Sequence, residues 1–458
     1  MDLKKLHDIF GEAYVLTDSA SLETYGKDWT KHIKPNPSAI VFPQKTDQVV
    51  ELVRWARQQK VSLVPSGGRT GLSGAAIACN GEVVVSFEKM NKILNFDPVN
   101  ETVHCQAGVI TEHLQQYASQ QGKFYPVDFA ARGSSQIGGN VATNAGGIKV
   151  VRYGLTRDWV ASLKVVTGSG EVLDLNNSLV KNASGYDLRH LYIGSEGTLG
   201  FITEVTVKVT RPPKNLTVFV FGVPELTSVM KIFETYKSAL PITAFEMFTD
   251  VALKYVQKST GLAAPFDTPS QFYVLVEVEC EAEATLEKAM ELFETCMENG
   301  WVEDGAVSQS SQQATDFWRL REDISEATSP YEPYKNDISV QISKVPAFLT
   351  EMDGILKKEY PNIEVVWFGH IGDGNLHINM LKPADMDSKQ FVSQCEKANQ
   401  TLFAMIEKHH GSVSAEHGVG LTKKPYLHHT RSEVEIQIMR QIKQVFDPDN
   451  IINPGKIL

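Results

Sequence analysis

The sequence predicts an α+β protein with more than one domain. The chain has 458 residues, which is more than a single hydrophobic core normally supports. Short runs of β-forming residues, as at 82–87 and 200–210, are separated by segments with apolar residues at helical spacing, as in the segment that starts at Asp47. Arg211-Pro212-Pro213 ends one strand pattern and is typical of a linker, because proline continues neither a ladder nor a helix. We therefore expect a domain boundary at this linker.

The composition is that of an ordinary globular protein, with 42% hydrophobic and 22% charged residues. A net charge of -11 without a clustered basic run argues against nucleic acid or an anionic membrane surface as a partner. The N-terminal residues lack the apolar core of a signal peptide, and no apolar run is long enough to span a bilayer, so we expect a cytoplasmic protein. The five scattered cysteines indicate neither a disulfide framework nor a CxxC metal site and are expected to be reduced.

A glycine-rich loop follows the first strands. A strand at 61–64 runs into a loop that carries Gly67, Gly68, Gly71 and Gly74. Dense glycines let backbone N–H groups surround an anion without interference from a Cβ atom. A flexible surface loop is an alternative interpretation of this stretch on its own.

A second loop, GSSQIGGNVATNAGG at 133–147, again interleaves glycines with small polar residues. It leaves room for a flat or phosphorylated ligand against the backbone. Neither loop ends in the Gly-Lys-Ser/Thr of a Walker sequence, and the first does not form a clean GxGxxG that opens a helix. The two loops therefore favour a phosphorylated ligand but support neither a P-loop nor a Rossmann assignment.

The second half changes to strand patterns that alternate with amphipathic helices, for example LTVFVFGV, FYVLVEVEC and ATLEKAMELFETCMENG. This order predicts an antiparallel sheet with helices on one face. The stretch VVWFGHIGDGNLHINM at 365–380 predicts a hairpin at the end of the sheet, because β-formers flank the turn residues Gly-Asp-Gly-Asn. His370 would end its first strand and His377 would open its second, with Asn379 on the same side as His377.

Two histidines that face each other across a hairpin indicate a possible metal site. A lone histidine near a strand is usually a core or surface side chain. Two imidazoles with one carboxylate would leave coordination positions open for a substrate, whereas structural zinc sites take four protein ligands. A carboxylate occurs in SVSAEHGVGL, where Glu416 and His417 are adjacent in a glycine-rich turn. His370, His377 and Glu416 are therefore a candidate set for a divalent ion, with His417 left over.

Four long motifs carry a resemblance to a known family. PSGGRTGLSGA, GSSQIGGNVATNAGG, ASGYDLRHLYIGSEGTLGFITEVTVKV and the final INPGKIL resemble the vanillyl-alcohol oxidase superfamily, in the branch of the D-2-hydroxyacid dehydrogenases. The match runs through nearly the whole chain. It implies an FAD-binding domain of two subdomains at 1–211, an antiparallel-sheet cap domain for substrate and metal at 216–411, and a C-terminal helical segment at 412–458 that returns to the flavin domain.

The resemblance implies that FAD lies extended between the two subdomains. The residues that it assigns to FAD are Pro65, Gly67, Gly68, Arg69, Thr70, Gly71, Leu72, Gly74, Ser134, Gly138, Asn140, Thr143, Asn144, Gly146, Gly147, Glu196, Gly197, Ile202 and Asn453. The first loop would hold the pyrophosphate, and the second would line the flavin and the ribityl chain. Many superfamily members attach FAD to a histidine after the Ser-Gly-Gly of the first loop, where this chain has Arg69, so we expect noncovalent FAD. Glu196 and Ile202 have an alternative interpretation as a turn glutamate and an apolar strand residue.

The motifs HxGDGNxHxN and EHG match the metal motifs of the D-2-hydroxyacid dehydrogenases residue by residue. The resemblance therefore implies that His370, His377 and Glu416 bind a metal ion, with zinc expected and manganese or cobalt as alternatives. The metal would chelate the carboxylate and the 2-hydroxyl of a 2-hydroxy acid. His417 would take the hydroxyl proton while the C2 hydrogen passes as hydride to flavin N5. In the alternative, His417 only orients Glu416.

A basic cluster bears on the choice of substrate. Arg321 and Ser325 lie four apart in a helical pattern, and Lys335 follows a Pro-bounded loop. The neighbouring Glu322 and Asp323 favour a solvated, ion-paired helix. In the D-2-hydroxyglutarate dehydrogenases, however, an arginine, a hydroxyl residue and a lysine at matching positions bind the distal carboxylate. The resemblance therefore assigns Arg321, Ser325, Lys335, Asn379 and His417 to the substrate.

The resemblance thus implies an FAD- and metal-dependent dehydrogenase that oxidises D-2-hydroxyglutarate to 2-oxoglutarate. D-lactate, glycolate and D-malate are alternative substrates. Ser325 replaces a threonine of the family and Gln341 a common proline, which leaves the shape of the pocket open. A metallohydrolase and a non-catalytic flavoprotein subunit are alternatives from other functional classes. Electrons would pass to an external acceptor, either an electron-transferring flavoprotein, a quinone or a cytochrome, and a homodimer is a reasonable expectation.

Overall fold

The computed structural model describes residues 2–30 and 33–458. The strands, in chain order, are β1 (Val15–Leu16), β2 (Ala39–Val41), β3 (Leu63–Ser66), β4 (Val83–Ser86), β5 (Ile93–Asp97), β6 (Thr102–Gln106), β7 (Val160–Thr167), β8 (Val172–Leu175), β9 (Gly200–Lys208), β10 (Leu216–Val223), β11 (Ile242–Thr249), β12 (Phe272–Glu279), β13 (Asp304–Val307), β14 (Tyr334–Ser339), β15 (Val365–Gly369) and β16 (Asn375–Met380). The α-helices are α1 (Leu3–Phe10), α2 (Ser19–Tyr25), α3 (Thr46–Gln59), α4 (Thr111–Gln120), α5 (Ile137–Thr143), α6 (Val150–Tyr153), α7 (Thr156–Trp159), α8 (Arg189–Tyr192), α9 (Leu226–Ala239), α10 (Asp250–Thr260), α11 (Glu283–Glu298), α12 (Ser311–Glu322), α13 (Ile324–Ala327), α14 (Val345–Glu359), α15 (Ser388–Lys408) and α16 (Glu433–Phe446). This mixture of helices and sheets confirms the predicted α+β class.

The chain forms two compact units. The first unit consists of Met1–Gly146, Gly154–Pro212 and Glu416–Leu458, and the second of Gly147–Tyr153 and Pro213–Ala415. The chain therefore enters the second unit twice, and its C-terminal residues belong to the first. The assignment of FAD, substrate and metal to domains at 1–211, 216–411 and 412–458 stays a prediction.

Two sheets form the first unit. One has the order β1-β2-β4-β3, with β2, β4 and β3 parallel and β1 antiparallel to β2. The other is antiparallel, in the order β5-β6-β9-β7-β8. Val49, Leu52 and Ala56 recur at helical spacing on α3, and they are fully buried in a core that includes residues of β3 and β4. Burial of each such Val or Leu side chain contributes about 1.5–3 kcal/mol.

The C-terminal residues are part of the core of the first unit. Ile452 forms a parallel bridge to Leu63 of β3, and both side chains are fully buried. Lys443 of α16 is also buried, and it donates to Thr198 O, Asp447 Oδ2 and Ile452 O at 2.8–2.9 Å. A buried ammonium requires such acceptors. These bonds fix the end of the chain against the loop that precedes β9.

One sheet forms the second unit, in the order β13-β10-β12-β11-β15-β16-β14. Every neighbouring pair is antiparallel, as predicted. The prediction of helices on one face only is wrong. Val220 of β10 belongs to a core with Trp318 of α12, whereas Phe221 lies on the other face against Tyr236 of α9. Because successive residues of β10 are apolar, both faces of the sheet need a cover of helices.

β15 and β16 form the predicted hairpin. β15 ends one residue before His370, and β16 carries His377 as its third residue. The turn requires glycine at Gly374, which has a φ of 87° and where a Cβ would lie 2.2 Å from Val340 O. The hairpin thus sets both histidines near its turn.

All five cysteines are free thiols, as predicted, and four of them are buried. Buried thiols of this kind fill space as small apolar groups. In the described part of the chain, no helix is both long and apolar enough to cross a lipid bilayer.

Candidate active site

A cavity in the first unit lies between the two glycine-rich loops. Its wall contains seven of the residues that the sequence assigns to FAD, namely Pro65, Gly67, Gly138, Thr143, Glu196, Gly197 and Ile202. It also contains residues that sequence reasoning missed, namely Ser66, Ala75, Ala76, Phe87, Ala107, Gln136, Gly139, Ala142 and Gly200. Most of these are small, and all but Phe87 and Ala107 lie within a quoted motif or directly after one, which is the signal that could have found them.

Glycine allows the two loops to lie against each other. A Cβ on Gly68 would lie 2.0 Å from Ser134 O, so no other residue fits there without moving the second loop. In the described part of the chain, the backbone N–H groups of residues 68–73 donate to no protein acceptor. Such a run of unused donors is suited to an anion.

Two buried oxygens in the cavity wall have no protein partner among the described residues. They are Ser66 Oγ and Gln136 Oε1. Buried polar groups are normally hydrogen-bonded, so these atoms indicate a polar ligand. The unused N–H groups, the small side chains and the two oxygens together fit a ligand that carries both phosphates and a flat ring, such as FAD.

Glu196 links this cavity to the loop after His417. Its backbone adopts a φ of 49°, and its buried carboxylate accepts from Val419 N at 2.6 Å and Gly420 N at 2.8 Å. Burial raises the pKa of Glu196 to about 7, although the two N–H donors act in the opposite direction. A Cβ on Gly418 would lie 2.7 Å from Glu196 Cδ, which leaves room only for glycine there. The carboxylate therefore holds a backbone loop.

Two predicted FAD residues turn their side chains to protein partners. Asn140 is buried and donates from Nδ2 to Thr111 Oγ1 at 2.6 Å. Asn453 is fully buried and donates from Nδ2 to Ala75 O at 2.9 Å and Glu196 O at 2.8 Å. Both side chains support the loops around the cavity.

Other predicted FAD residues lie beside the cavity. The Arg69 guanidinium lies 4.5 Å from the centre of the Tyr25 ring. Asn144 ends α5 in the left-handed conformation and accepts from Arg157 N at 3.0 Å. Gly147 begins the short segment of the second unit. Among the described residues, Gly68, Thr70, Gly71, Leu72, Gly74, Ser134 and Gly146 are in the loops but not in the cavity wall.

His370 and His377 lie close together in the second unit. Their ring centres are 5.4 Å apart, and each offers a nitrogen within 4.8 Å of the other's. His370 Nδ1 is 2.8 Å from Glu246 Oε1, and His377 Nδ1 is 3.7 Å from Asp337 Oδ1. His370 therefore has a carboxylate at hydrogen-bond distance, as histidines that bind metals usually do, whereas Asp337 lies farther from His377. The pair fits a divalent metal ion.

Sequence reasoning missed both carboxylates. Glu246 is 1% exposed in β11, and Asp337 is 2% exposed in β14. The single carboxylate of β11, a strand that is otherwise apolar or small and wholly buried, is itself a signal, because a buried charge requires a partner. The partner is not readable from the sequence, since His370 is 124 residues away from Glu246.

Arg321 is only 5% exposed at the end of α12. Its Nη2 is 2.9 Å from Glu246 Oε2, and its guanidinium lies 4.8 Å from the centre of the Phe368 ring. The contact with Glu246 has the distance of an ion pair but not the geometry of a hydrogen bond, and Nε and Nη2 have no hydrogen-bond partner within the described residues. The buried guanidinium therefore keeps donors for a ligand carboxylate.

The other predicted substrate residues of the second unit differ in their surroundings. Ser325 is exposed in α13, which begins after a break at Asp323, so Arg321 and Ser325 belong to two consecutive helices. Lys335 is exposed on the edge strand β14, opposite Asn379 of β16 in the ladder. Asn379 is 2% exposed, and its Nδ2 has no hydrogen-bond partner in the described part of the chain.

Glu416 and His417 begin the last segment of the first unit. The preceding residue, Ala415, belongs to the second unit and donates from N to Asp337 Oδ2 at 3.2 Å. The backbone that follows His417 is held by Glu196. The two residues are therefore anchored on both sides along the chain.

The sequence matches two known families. Residues 37–176 match the FAD binding domain, and residues 212–457 match the C-terminal domain of FAD linked oxidases. A D-2-hydroxyglutarate dehydrogenase of Stutzerimonas stutzeri is 57% identical over 443 residues, which cover 97% of this chain and 96% of that protein. A D-2-hydroxyglutarate dehydrogenase of Xanthomonas citri pv. viticola is 54% identical over 441 residues, which cover 96% and 93%. The mitochondrial D-2-hydroxyglutarate dehydrogenase of Bos taurus is 36% identical over 448 residues, which cover 97% and 81%.

Solved structures share the fold. An alkyldihydroxyacetonephosphate synthase matches with a TM-score of 0.75 at 20% identity, over 99% of this chain and 85% of that chain. A p-cresol methylhydroxylase matches with a TM-score of 0.77 at 15% identity, over 99% and 96%. The predicted fold, the FAD cofactor and the dehydrogenase class are confirmed. The chain belongs to the FAD-linked oxidases, as an FAD-dependent D-2-hydroxyacid dehydrogenase.

Proposed function

We propose that this enzyme oxidises D-2-hydroxyglutarate to 2-oxoglutarate with the help of a divalent metal ion. The observation that carries the proposal is the buried guanidinium of Arg321 with its unused donors. A carboxylate at the far end of the substrate is the planar acceptor that such a group requires, and Lys335 adds a second positive charge. D-lactate and glycolate have no distal carboxylate and would leave Arg321 unsatisfied. The names of the relatives at 57% and 54% identity support the same substrate.

The proposed metal ligands are His370, His377 and Glu416, and zinc is the expected ion, with manganese or cobalt as alternatives. Because Glu246 takes Nδ1 of His370, Nε2 is the atom that would face the ion. Glu416 directly follows Ala415, whose backbone is tied to the strand opposite His377, which supports it as the third ligand. A bound ion would hold the carboxylate and the 2-hydroxyl of the substrate and lower the pKa of the hydroxyl.

His417 is the proposed general base. It follows Glu416 in the chain, and an imidazole can accept a hydroxyl proton near neutral pH. Bound FAD supplies the acceptor for the C2 hydrogen and its electron pair. The cofactor would be held noncovalently, because Arg69 takes the place of the attachment histidine, and the N–H groups of 68–73 would face its pyrophosphate.

Anaerobic flavin bleaching with a panel of D- and L-2-hydroxy acids, together with metal analysis of the same sample, tests the proposal. We expect D-2-hydroxyglutarate to bleach the flavin fastest and its L-enantiomer to fail. Bleaching by D-lactate but not by D-2-hydroxyglutarate would refute the substrate and leave the dehydrogenase class intact. D-malate, with a chain one carbon shorter, measures how strictly the distance between the two carboxylates is set.

The cellular context stays a prediction. The electron acceptor is expected to be an electron-transferring flavoprotein, a quinone or a cytochrome, and the protein is expected to be a cytoplasmic homodimer. Reoxidation of the reduced flavin by each class of acceptor would distinguish the three acceptors. Sedimentation of the holoenzyme would give its oligomeric state.

A further inference from the structure

A buried glutamate, Glu246, connects the histidine pair to Arg321, the residue proposed to bind the distal carboxylate. Resting on the proposed function, we propose that Glu246 is a positioning residue, which orients His370 for the metal ion and holds Arg321 for the distal carboxylate. Glu246 lies in β11 and is 1% exposed. A carboxylate at this depth requires partners of opposite charge or hydrogen-bond donors.

The two oxygens of Glu246 are divided between its two partners. Oε1 is 2.8 Å from His370 Nδ1, and Oε2 is 2.9 Å from Arg321 Nη2. β11 lies between β12 and β15 inside the sheet. Glu246 is opposite Leu275 of β12, and the next residue, Met247, is opposite Gly369 of β15, so its backbone is held within the sheet. Because one fixed group makes both contacts, a change in it alters both ends of the site.

On the histidine side, the contact determines the tautomer. An imidazole that donates its Nδ1 proton to a carboxylate keeps the lone pair on Nε2, the form that a metal ion requires. The carboxylate also fixes the orientation of the ring. Loss of an orienting partner of this kind typically weakens metal affinity by about 10- to 100-fold.

On the arginine side, Glu246 balances the charge without using all the donors. Nε and Nη2 of Arg321 have no hydrogen-bond partner within the described residues. The guanidinium is held between Glu246 and the face of Phe368, so its position is set before a substrate binds. Substrates with one carboxylate do not use this end of the site. The effect of Glu246 on KM is therefore specific to dicarboxylates.

A second buried glutamate provides a matched control. Glu277 of β12 lies opposite Ala244, two residues from Glu246, and is therefore on the same face of the sheet. It is 3% exposed, accepts from Trp318 Nε1 at 2.9 Å and pairs with Lys149. These contacts include neither His370 nor Arg321. An effect that appears in the Glu277 variant as well as in the Glu246 variants is structural. An effect that appears only in the Glu246 variants reports positioning.

The experiment uses full-length protein with FAD bound and compares Glu246→Gln, Glu246→Asp and Glu277→Gln with the wild type. Zn²⁺ is titrated into each metal-free protein against a chelator, and KM is measured for D-2-hydroxyglutarate and D-lactate at saturating zinc. We expect Glu246→Gln to weaken zinc binding by about 10- to 100-fold and to raise KM for the dicarboxylate alone. The zinc affinity and the KM of Glu246→Asp should lie between those of the wild type and those of Glu246→Gln, because the shorter side chain of aspartate cannot keep both contacts. Zinc affinity equal to that of the wild type in Glu246→Gln would overturn the inference, and so would an equal loss in Glu277→Gln.

A measurement on the wild-type protein tests the inference even if Glu246→Gln fails to fold. Nitrogen NMR of the metal-free protein, labelled at histidine, should show His370 as the Nδ1–H tautomer, and the Nε2–H tautomer would overturn the inference. Failure of the proposed function is distinguishable from failure of this inference. A wild type that binds no zinc, or whose flavin D-2-hydroxyglutarate does not reduce, refutes the function, whereas the tautomer tests Glu246 alone.

Discussion

Two buried glutamates, one in each compact unit, are satisfied in opposite ways. Glu196 of the first unit accepts from two backbone N–H groups. Glu246 of the second unit faces two side chains, Arg321 and His370. Main-chain dipoles supply no full counter-charge, so burial raises the pKa of Glu196 to about 7. The buried carboxylate of the first unit is therefore held by the backbone, and that of the second unit by side chains.

This difference determines which substitutions each unit tolerates. Where the backbone makes the contacts, added atoms are damaging, because glycines such as Gly68 and Gly200 lie in close contact with other main-chain atoms. A site made of buried charges is damaged when one partner is removed, because the other is left uncompensated in a medium that solvates it poorly. Each of the following predictions tests one side of this contrast.

Arg321→Met should have the largest effect. It leaves the carboxylate of Glu246 without its cation, and breaking a buried pair in this way typically costs about 3–5 kcal/mol of unfolding free energy. Urea unfolding of the metal-free protein measures the loss. Arg319→Met is the matched control on the same helix, because Arg319 pairs with Asp323 at 3.1 Å near the surface and should cost less than about 1 kcal/mol. Similar losses in the two variants would contradict the assignment of Glu246 as a buried, charge-dependent group.

The pH dependence of the unfolding free energy should reveal the raised pKa of Glu196. Its pKa is about 7 in the folded protein and 4.5 in the unfolded reference, so the folded state binds more protons between these values. The unfolding free energy should therefore fall as the pH rises from 4.5 to 7, by about 3 kcal/mol at most from this group. Urea unfolding of the apoprotein across this range should show a smaller fall in Glu196→Gln.

Glu204 provides a control of opposite sign. The hydrogen bond from His104 holds the pKa of Glu204 below its usual range, so its stabilising contribution is present above that range and is lost as the pH falls. Glu204→Gln should therefore leave the fall between pH 4.5 and 7 unchanged. A Glu196→Gln variant with the slope of the wild type would show that main-chain donors keep this carboxylate ionised.

Gly68→Ala should act on the first unit alone. Its Cβ would lie 2.0 Å from Ser134 O, and relief of such a clash typically costs about 1–3 kcal/mol. Because the two loops border the cavity proposed for FAD, flavin absorbance per protein should fall. Gly133→Ala in the second loop is the control, since its Cβ would meet Glu112 Oε2 at an ordinary 3.6 Å. Normal flavin content in Gly68→Ala would mean that the two loops separate easily.

The local sequence predicts those parts of the molecule whose contacts are made by the backbone. The hairpin at His370 and His377 follows from a Gly-Asp-Gly-Asn turn between β-formers, and Gly68 of the first loop lies at the close contact with the second loop. The resemblance assigns Asn140 to FAD. It does not show that the side-chain amide of Asn140 donates to Thr111, because that contact depends on how α5 packs.

The parts made by paired charges are not local. Glu246 and Asp337 are single buried acids in their strands, and their partners lie far away in the chain or on other strands. The sequence does not indicate either that Gly147–Tyr153 belongs to the second unit. A loop that continues into a helix has the same sequence pattern whether it belongs to the first unit or to the second. These features depend on tertiary packing, which a periodicity pattern does not contain.

Lys335→Met should have the smallest effect on stability and still change the enzyme. Lys335 is exposed on an edge strand, so its loss should alter the unfolding free energy by less than about 0.5 kcal/mol. KM for D-2-hydroxyglutarate should rise by about 3- to 10-fold, because an exposed charge contributes less than a buried one. KM for D-lactate should not change, and Lys344→Met, also exposed in the second unit, should change neither. A larger rise in KM for Lys335→Met than for Arg321→Met would reverse the contrast, since the exposed cation would then hold the distal carboxylate and Arg321 would serve mainly to neutralise Glu246.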